Sequence, residues 1–293
     1  MRRLLVLLPL GLVLAAVVVL SSVEYGMARP SQRIKNLAYV AATAPDFDTE
    51  RHRLDVYAPR RKAPGEGCPV VLFMHGGNWN SGNKNIYTFV GRRLARQGVV
   101  AVVINYRLAP KVKIDGMADD CARALAWTVQ HIGEYGGDPG RVFVMGHSAG
   151  GGLAAILTTD DGLLARHGLA PNPVRGAILD DPAGLDMYTY LKSRDTGDTQ
   201  YHDAFGGDPA GWKAWSPIYR LRAGQPPFLL FIGGETYPSI SSSSERFRKR
   251  LGALGMPPTY QVLPGKKHVP MVLQLYWQHN VIYKELLKLV GAG

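Results

Sequence analysis

Two short stretches carry residue types that could do acyl chemistry. In the first, Gly146-His147-Ser148-Ala149-Gly150 fits G-x-S-x-G, with Val142 to Met145 apolar before it and Gly151-Gly152-Leu153-Ala154-Ala155 behind it. That order reads as a buried strand, a sharp turn and a helix, which leaves a serine Oγ exposed above a sheet beside free helix N–H groups. A serine hydroxyl is a poor nucleophile near neutral pH and needs a base to take its proton, a task suited to histidine. Of the eight histidines, His268 is favoured because it follows the last expected strand, in Pro264-Gly-Lys-Lys-His-Val-Pro270. Where a nucleophile sits on such a turn, the base comes last along the chain. His147 adjoins the serine but should point away at the turn, and His75, at a strand end, reads as a loop brace. The second stretch is His75-Gly76-Gly77-Asn78-Trp79. Attack on a carbonyl puts negative charge on its oxygen, and fixed N–H donors stabilise it. Gly77 and Asn78 would supply two, and Ala149, the residue after the serine, a third.

Those stretches must be positioned by regular elements. Pro69 to Met74 and Val99 to Ile104 are continuous apolar runs, the mark of strands buried on both faces of a parallel sheet. Leu54 to Tyr57 reads as a short strand, and an edge strand is expected around Leu37 to Ala41. Met117, Cys121, Ala124, Leu125, Thr128 and Ile132 recur at helical spacing, so Gly116 to Ile132 should be an amphipathic helix with Cys121 on its core side. Further strands are expected at Arg141 to Met145, Ala177 to Leu179, Phe228 to Ile232 and Thr259 to Leu263. The matching helices are Tyr87 to Gln97, Gly150 to Leu157, Ser242 to Leu254 and Met271 to Leu289. The alternation predicts an α/β fold, doubly wound around a mostly parallel sheet. Residues 182–224 are aromatic and polar without a clear period, and read as a small cap inserted over the sheet ends.

Composition narrows the classes. The chain has 293 residues, 46% of them hydrophobic, enough for one large domain, taken as residues 33–293. Its net charge of +11 admits nucleic acid, a membrane or an acidic partner. No basic run interleaves with aromatics beyond the N-terminus, so nucleic acid is not expected. Arg2-Arg3 followed by the apolar run Leu4 to Leu20 marks residues 1–25 as an export signal or a membrane anchor. The domain would then lie outside the cytoplasm, periplasmic or extracellular, with membrane attachment through residues 4–20 in the anchored case. Two cysteines, Cys68 and Cys121, make no disulfide framework. Neither H-E-x-x-H nor C-x-x-C spacing occurs and no G-K-[ST] follows the glycines, so no metal and no cofactor is expected.

From Leu54 to Leu157 the chain resembles the α/β-hydrolase carboxylesterases with an H-G-G-x-W loop, a set that includes isoprenylcysteine methylesterases, kynurenine formamidases and feruloyl-esterase-like enzymes. The stretches that carry the resemblance are Leu54-Asp-Val-Tyr57, His75-Gly-Gly-Asn-Trp79, Asn105-Tyr-Arg-Leu-Ala-Pro110, Gly136-Gly-Asp-Pro139 and Gly146-His-Ser-Ala-Gly-Gly151. It implies the α/β-hydrolase fold, Ser148 as nucleophile, His268 as base, and Gly77, Asn78 and Ala149 as the oxyanion hole. It also implies an acid after the strand Phe228 to Ile232, two residues before a proline. Counted back from Pro238 that place is Thr236, so Glu235, one residue earlier, is taken as the acid. Asp186 is the alternative, and Asp180 and Asp181 rank behind both. Trp79, Tyr106, Tyr188, Trp215 and Tyr237 are assigned to the substrate pocket. The expected activity is hydrolysis of a small-molecule carboxylic ester through an acyl-serine. The alternatives are an amidase or formamidase with the same machinery, and a non-catalytic hydrolase-fold binding protein. The natural substrate and the oligomeric state are not written in the sequence.

Overall fold

A computed structural model describes residues 31–60, 67–194 and 200–292. The expected leader, residues 1–25, lies outside them. Eight strands form one sheet in the order β1-β2-β4-β3-β5-β6-β7-β8. They are β1 (Ser31–Ala38), β2 (Arg53–Pro59), β3 (Cys68–Met74), β4 (Val100–Ile104), β5 (Gly137–His147), β6 (Val174–Asp180), β7 (Phe228–Gly233) and β8 (Thr259–Leu263). The β1–β2 and β2–β4 pairs are antiparallel, and every pair from β4 through β8 is parallel.

The apolar runs become central strands because both faces are covered. Val70, Leu72 and Met74 point into one core cluster, Val71 and Phe73 into the other, and none of the five is exposed. Each such side chain contributes about 1.5–3 kcal/mol on burial. One face carries α1 (Thr88–Arg96) and the last helix, Val281–Val290. The other carries α2 (Ile114–His131) and α3 (Ala149–Thr159). Cys121 sits in that core as a free thiol, and Cys68, also free, is buried at the start of β3.

Several elements depart from expectation for local reasons. The edge strand lies earlier, Ser31–Ala38, with its register to β2 broken between Ile34 and Leu37. The helix expected from Ser242 begins at Pro238, because proline at the first helical position needs no N–H partner and already has a helical φ. The single closing helix is instead His268–Leu273, a 3-10 turn at Gln274–Tyr276, and Val281–Val290. Asn280 makes the break, since its side chain accepts the N–H of Tyr283 and starts a new helix. The cap contains helices too: Met187–Lys192, His202–Phe205, Pro209–Ala214 and a 3-10 turn at Pro217–Arg220. They are too short to complete the period that marks a helix in sequence. Among the described residues no helix is long and apolar enough to cross a membrane.

Candidate active site

Ser148 stands between β5 and α3 at φ 55° and ψ −125°. That turn needs two of its glycines. A Cβ on Gly146 would lie 2.1 Å from the Gly150 carbonyl oxygen, and one on Gly150 would lie 2.2 Å from that of Met74. No side chain fits either place. The turn is further pinned by Ser148 N–H, which donates to Asp180 O (3.1 Å), and by Ala183 N–H, which donates to Ser148 O (2.9 Å). The hydroxyl is thus tied through its own backbone to the end of β6.

His268 is brought to it from the loop after β8. Its Nε2 lies 2.8 Å from Ser148 Oγ, and its Nδ1 lies 2.6 Å from Asp181 Oδ2. The carboxylate on the imidazole is therefore Asp181, not Glu235. Asp181 follows β6 directly and is fully buried. Its other oxygen accepts the N–H of Gly233 at 2.9 Å, and the Thr236 hydroxyl donates to Oδ2. Glu235 is exposed, and its N–H donates to Lys266 O, so its backbone serves to hold the loop before His268. Asp186 is occupied elsewhere. It caps the helix Met187–Lys192 through Thr189 N–H, takes Arg246 Nε at 2.7 Å and accepts the Tyr219 hydroxyl.

The reason for the displaced acid is a matter of register. β6 and β7 are parallel neighbours with Asp180 opposite Phe231. A carboxylate one residue past β6 therefore reaches the same space as one in the turn after β7. Thr236, at the place to which the resemblance assigns the acid, donates its hydroxyl to the carboxylate found instead.

Neighbouring polar groups are arranged around this relay. His147 does not simply point away: its Nε2–H donates to His268 O (3.1 Å) and its ring packs on that of His268, with centroids 4.7 Å apart. Burial, with the nearby His268, lowers its pKa to about 3, so it is a neutral donor. His75 braces its loop as expected. Its Nδ1–H donates to Gly76 O (2.8 Å), and burial lowers its pKa to about 4. Asp180, beside Asp181 in sequence, is fully buried and neither of its oxygens has a partner among the described residues. Burial, and then the charge of Asp181, push its carboxyl well above the usual carboxylate range.

The glycine-rich loop turns back over the serine. Gly77, Asn78 and Trp79 all have positive φ, at 133°, 54° and 62°. Five described non-glycine residues have positive φ, and four of them, Asn78, Trp79, Ser148 and Asp181, lie at this rim. Such conformations cost about 1–3 kcal/mol each and concentrate where geometry serves chemistry. Among the described residues the N–H groups of Gly77, Asn78 and Ala149 have no acceptor. Gly77, Asn78, Ser148 and His268 open on one cavity of about 710 Å³.

Trp79 and Tyr237 line that cavity, and the cap adds Met187, Tyr190 and Tyr201. Trp79 meets Tyr201 and Phe205 edge-on, which docks the cap on the loop. The three other aromatics assigned to the pocket are elsewhere. Tyr106 is buried under the loop, stacked on His75 with its hydroxyl donating to His75 O. Tyr188 packs edge-on against Tyr219, and Trp215 lies under Arg220. Sequence shows that a residue is aromatic but not which face of its element turns to the cavity. No cluster of His, Cys, Asp or Glu among the described residues could hold a metal ion.

With this geometry in hand, the comparisons with known proteins agree in kind. The family profile described as alpha/beta hydrolase fold matches residues 71–272. A probable isoprenylcysteine alpha-carbonyl methylesterase of Arabidopsis thaliana is 29% identical over 252 residues, which is 80% of this chain and 52% of the relative. The chain thus spans about half the length of that methylesterase. A kynurenine formamidase of Danio rerio is 24% identical over 264 residues, 90% of this chain and 86% of the relative. Among solved structures, esterase B of Lactobacillus rhamnosis superposes with a TM-score of 0.72 at 23% identity, covering 97% of this chain and 94% of that one.

Proposed function

The chain belongs to the α/β-hydrolase fold family, and on that premise we propose that it is a serine esterase. The observation that carries this is the Ser148–His268–Asp181 relay, at 2.8 Å and 2.6 Å, beside three backbone N–H groups without acceptors. Ser148 Oγ attacks the ester carbonyl while His268 Nε2 takes its proton. Negative charge moves to the carbonyl oxygen, where the N–H groups of Gly77, Asn78 and Ala149 receive it. The intermediate collapses, His268 gives the proton to the departing alkoxide, and an alcohol leaves. Water then attacks the acyl-serine with His268 again as base, releasing the acid and restoring Ser148. Asp181 holds the Nδ1–H of His268 throughout and stabilises the imidazolium without taking its proton. The aromatic walls of the cavity favour a small-molecule ester with an apolar acyl or aryl part. A carboxylate placed on His268 weighs against a non-catalytic binding role.

The test is a panel of p-nitrophenyl esters with a fluorophosphonate label. Wild-type protein should hydrolyse the esters and take the label, and Ser148→Ala should lose both, with kcat falling by roughly 10⁴–10⁶-fold. A well-folded wild-type protein that neither hydrolyses nor labels would refute the proposal. A formamidase reading rests on the likeness to kynurenine formamidase along nearly the whole of both chains. It uses the same steps with an amine leaving group, and N-formyl anilides set beside the esters distinguish the two.

Residues 1–25 are proposed as an export signal or membrane anchor, on the strength of Arg2-Arg3 and the apolar run Leu4 to Leu20. The N-terminus of protein recovered from cells decides between them: loss of the run means export, and its retention in the membrane fraction means anchoring. Intact chain in the cytosol would rule out both.

A further inference from the structure

Among the described residues large apolar side chains are exposed in few places, and most lie near the cavity. Of eight such residues described, six are at the cavity or follow on from its lining: Ile86, Tyr237, Val269, Leu273, Tyr276 and Trp277, each 51–59% exposed. Ile86, Tyr237, Val269 and Leu273 also line the cavity. Tyr276 continues the strip outward, 5.5 Å from the Trp277 ring and 6.2 Å from Phe89. Part of the pocket's edge is thus an apolar lip. Contiguous exposed apolar surface on a monomer marks a docking face.

Charge along the lip is mostly positive, although Lys84 is tied to Asp55 and the acid Glu235 stands at one edge. The lip's two main segments, residues 84–97 and 264–280, contain lysines and arginines and no Asp or Glu. Arg93 supports Tyr276 directly: its Nε donates to Tyr276 O (2.6 Å) and its guanidinium lies over the ring at 5.4 Å. Lys266 and Lys267 precede Val269 in the other segment, and Lys267 is exposed. Glu235, whose N–H bonds Lys266 O, is the acid that borders this edge. Tryptophan and tyrosine beside cationic side chains form the composition that settles at the level of lipid headgroups.

We propose that this lip docks on the surface of an anionic phospholipid bilayer, so that the cavity mouth faces the lipid. Val269, Leu273, Tyr276 and Trp277 enter the headgroup region, and Lys266 and Lys267 meet lipid phosphates. Given the esterase reading on which this second point rests, the ester enters from the lipid side, as an acyl ester dissolved in the bilayer. Docking at this face is separate from attachment through the leader, which would tether the domain without choosing which side meets the membrane.

The test uses the full chain with phosphatidylglycerol vesicles whose acyl chains are brominated, and reads tryptophan emission. Brominated lipid should quench wild-type protein, and Trp277→Phe should remove most of that quenching. The fraction of phosphatidylglycerol giving half-maximal quenching should rise severalfold with Lys266→Gln and Lys267→Gln together, since each lysine at such a surface contributes a factor of about five. Ser148→Ala should be quenched like wild type, so loss of the esterase reading would leave this result intact. Quenching that persists in Trp277→Phe would place another face on the bilayer, and absent quenching would keep the lip in water. A lipid-free dimer abolished by Trp277→Phe would assign the lip to a second copy. Any of these three results overturns the proposal.

Discussion

Two buried carboxylates in this protein meet opposite fates. Asp55, on the antiparallel edge of the sheet, is closed in by fixed cations. Lys84 Nζ lies 2.7 Å from one oxygen, Arg33 binds the other, and Asn36 N–H completes the set. Burial alone would raise its pKa, but these partners outweigh burial and hold it below the usual range. Asp181, at the rim, has an imidazole, one N–H and one hydroxyl. No lysine or arginine among the described residues forms an ion pair with it. The first carboxylate has spent its charge on the scaffold. The second keeps its charge for the cation that arises when His268 takes a proton. A buried acid is therefore read by its partners, not by its burial.

The largest expected difference between the two regions is in stability. Asp55→Ala leaves Lys84 buried without a counter-charge, with only Asn36 Oδ1 to accept from it, and should cost about 3–5 kcal/mol in urea unfolding. The kcat of the molecules still folded should stay near wild type. If stability is unchanged, the edge network is not the structural clamp described here.

A smaller effect separates the regions by pH. His75 and His147 have pKa values lowered to about 4 and about 3 by burial. A depressed histidine contributes stability that is complete above its unfolded value near 6.5 and lost as pH falls toward the folded one. His75 alone should remove roughly 3 kcal/mol between pH 6.5 and 4. The edge carboxylates, Asp55 and Asp48, are depressed below the ordinary aspartate value, Asp48 to about 2. Their contribution is present above about pH 4 and fades only below it. Unfolding followed against pH in His75→Gln should roughly halve the loss in the upper window, with His147 supplying the rest, and leave the lower window as it was. A flat profile in wild type between pH 6.5 and 4 would contradict the buried, neutral histidines.

Much of the site was legible because local geometry wrote it into local sequence. The turn at Ser148 admits only glycine at Gly146 and Gly150, and the oxyanion loop follows a strand whose apolar run is unmistakable. His268 was found from its place after the last strand. The acid was not, because no local constraint ties a carboxylate to the turn after β7. The sheet lets a residue past β6 reach the same atom, and that equivalence exists only once the strands are paired. Two signals pointed the right way: threonine at the place where an acid was due, and Asp180-Asp181-Pro182 at a strand end. Telling Asp180 from Asp181 required the structure. One is buried without a hydrogen-bond partner among the described residues, while the other meets His268. Trp79 and Tyr237 do line the cavity, whereas Tyr106, Tyr188 and Trp215 do not, since facing is decided by packing and not by residue type.

The partner of His268 is tested most directly by kcat for ester hydrolysis by Asp181→Asn, with Glu235→Gln beside it. The geometry predicts a fall of roughly 10³–10⁴-fold for the first and near wild-type turnover for the second. A crippled Glu235→Gln beside an active Asp181→Asn would contradict the relay described here.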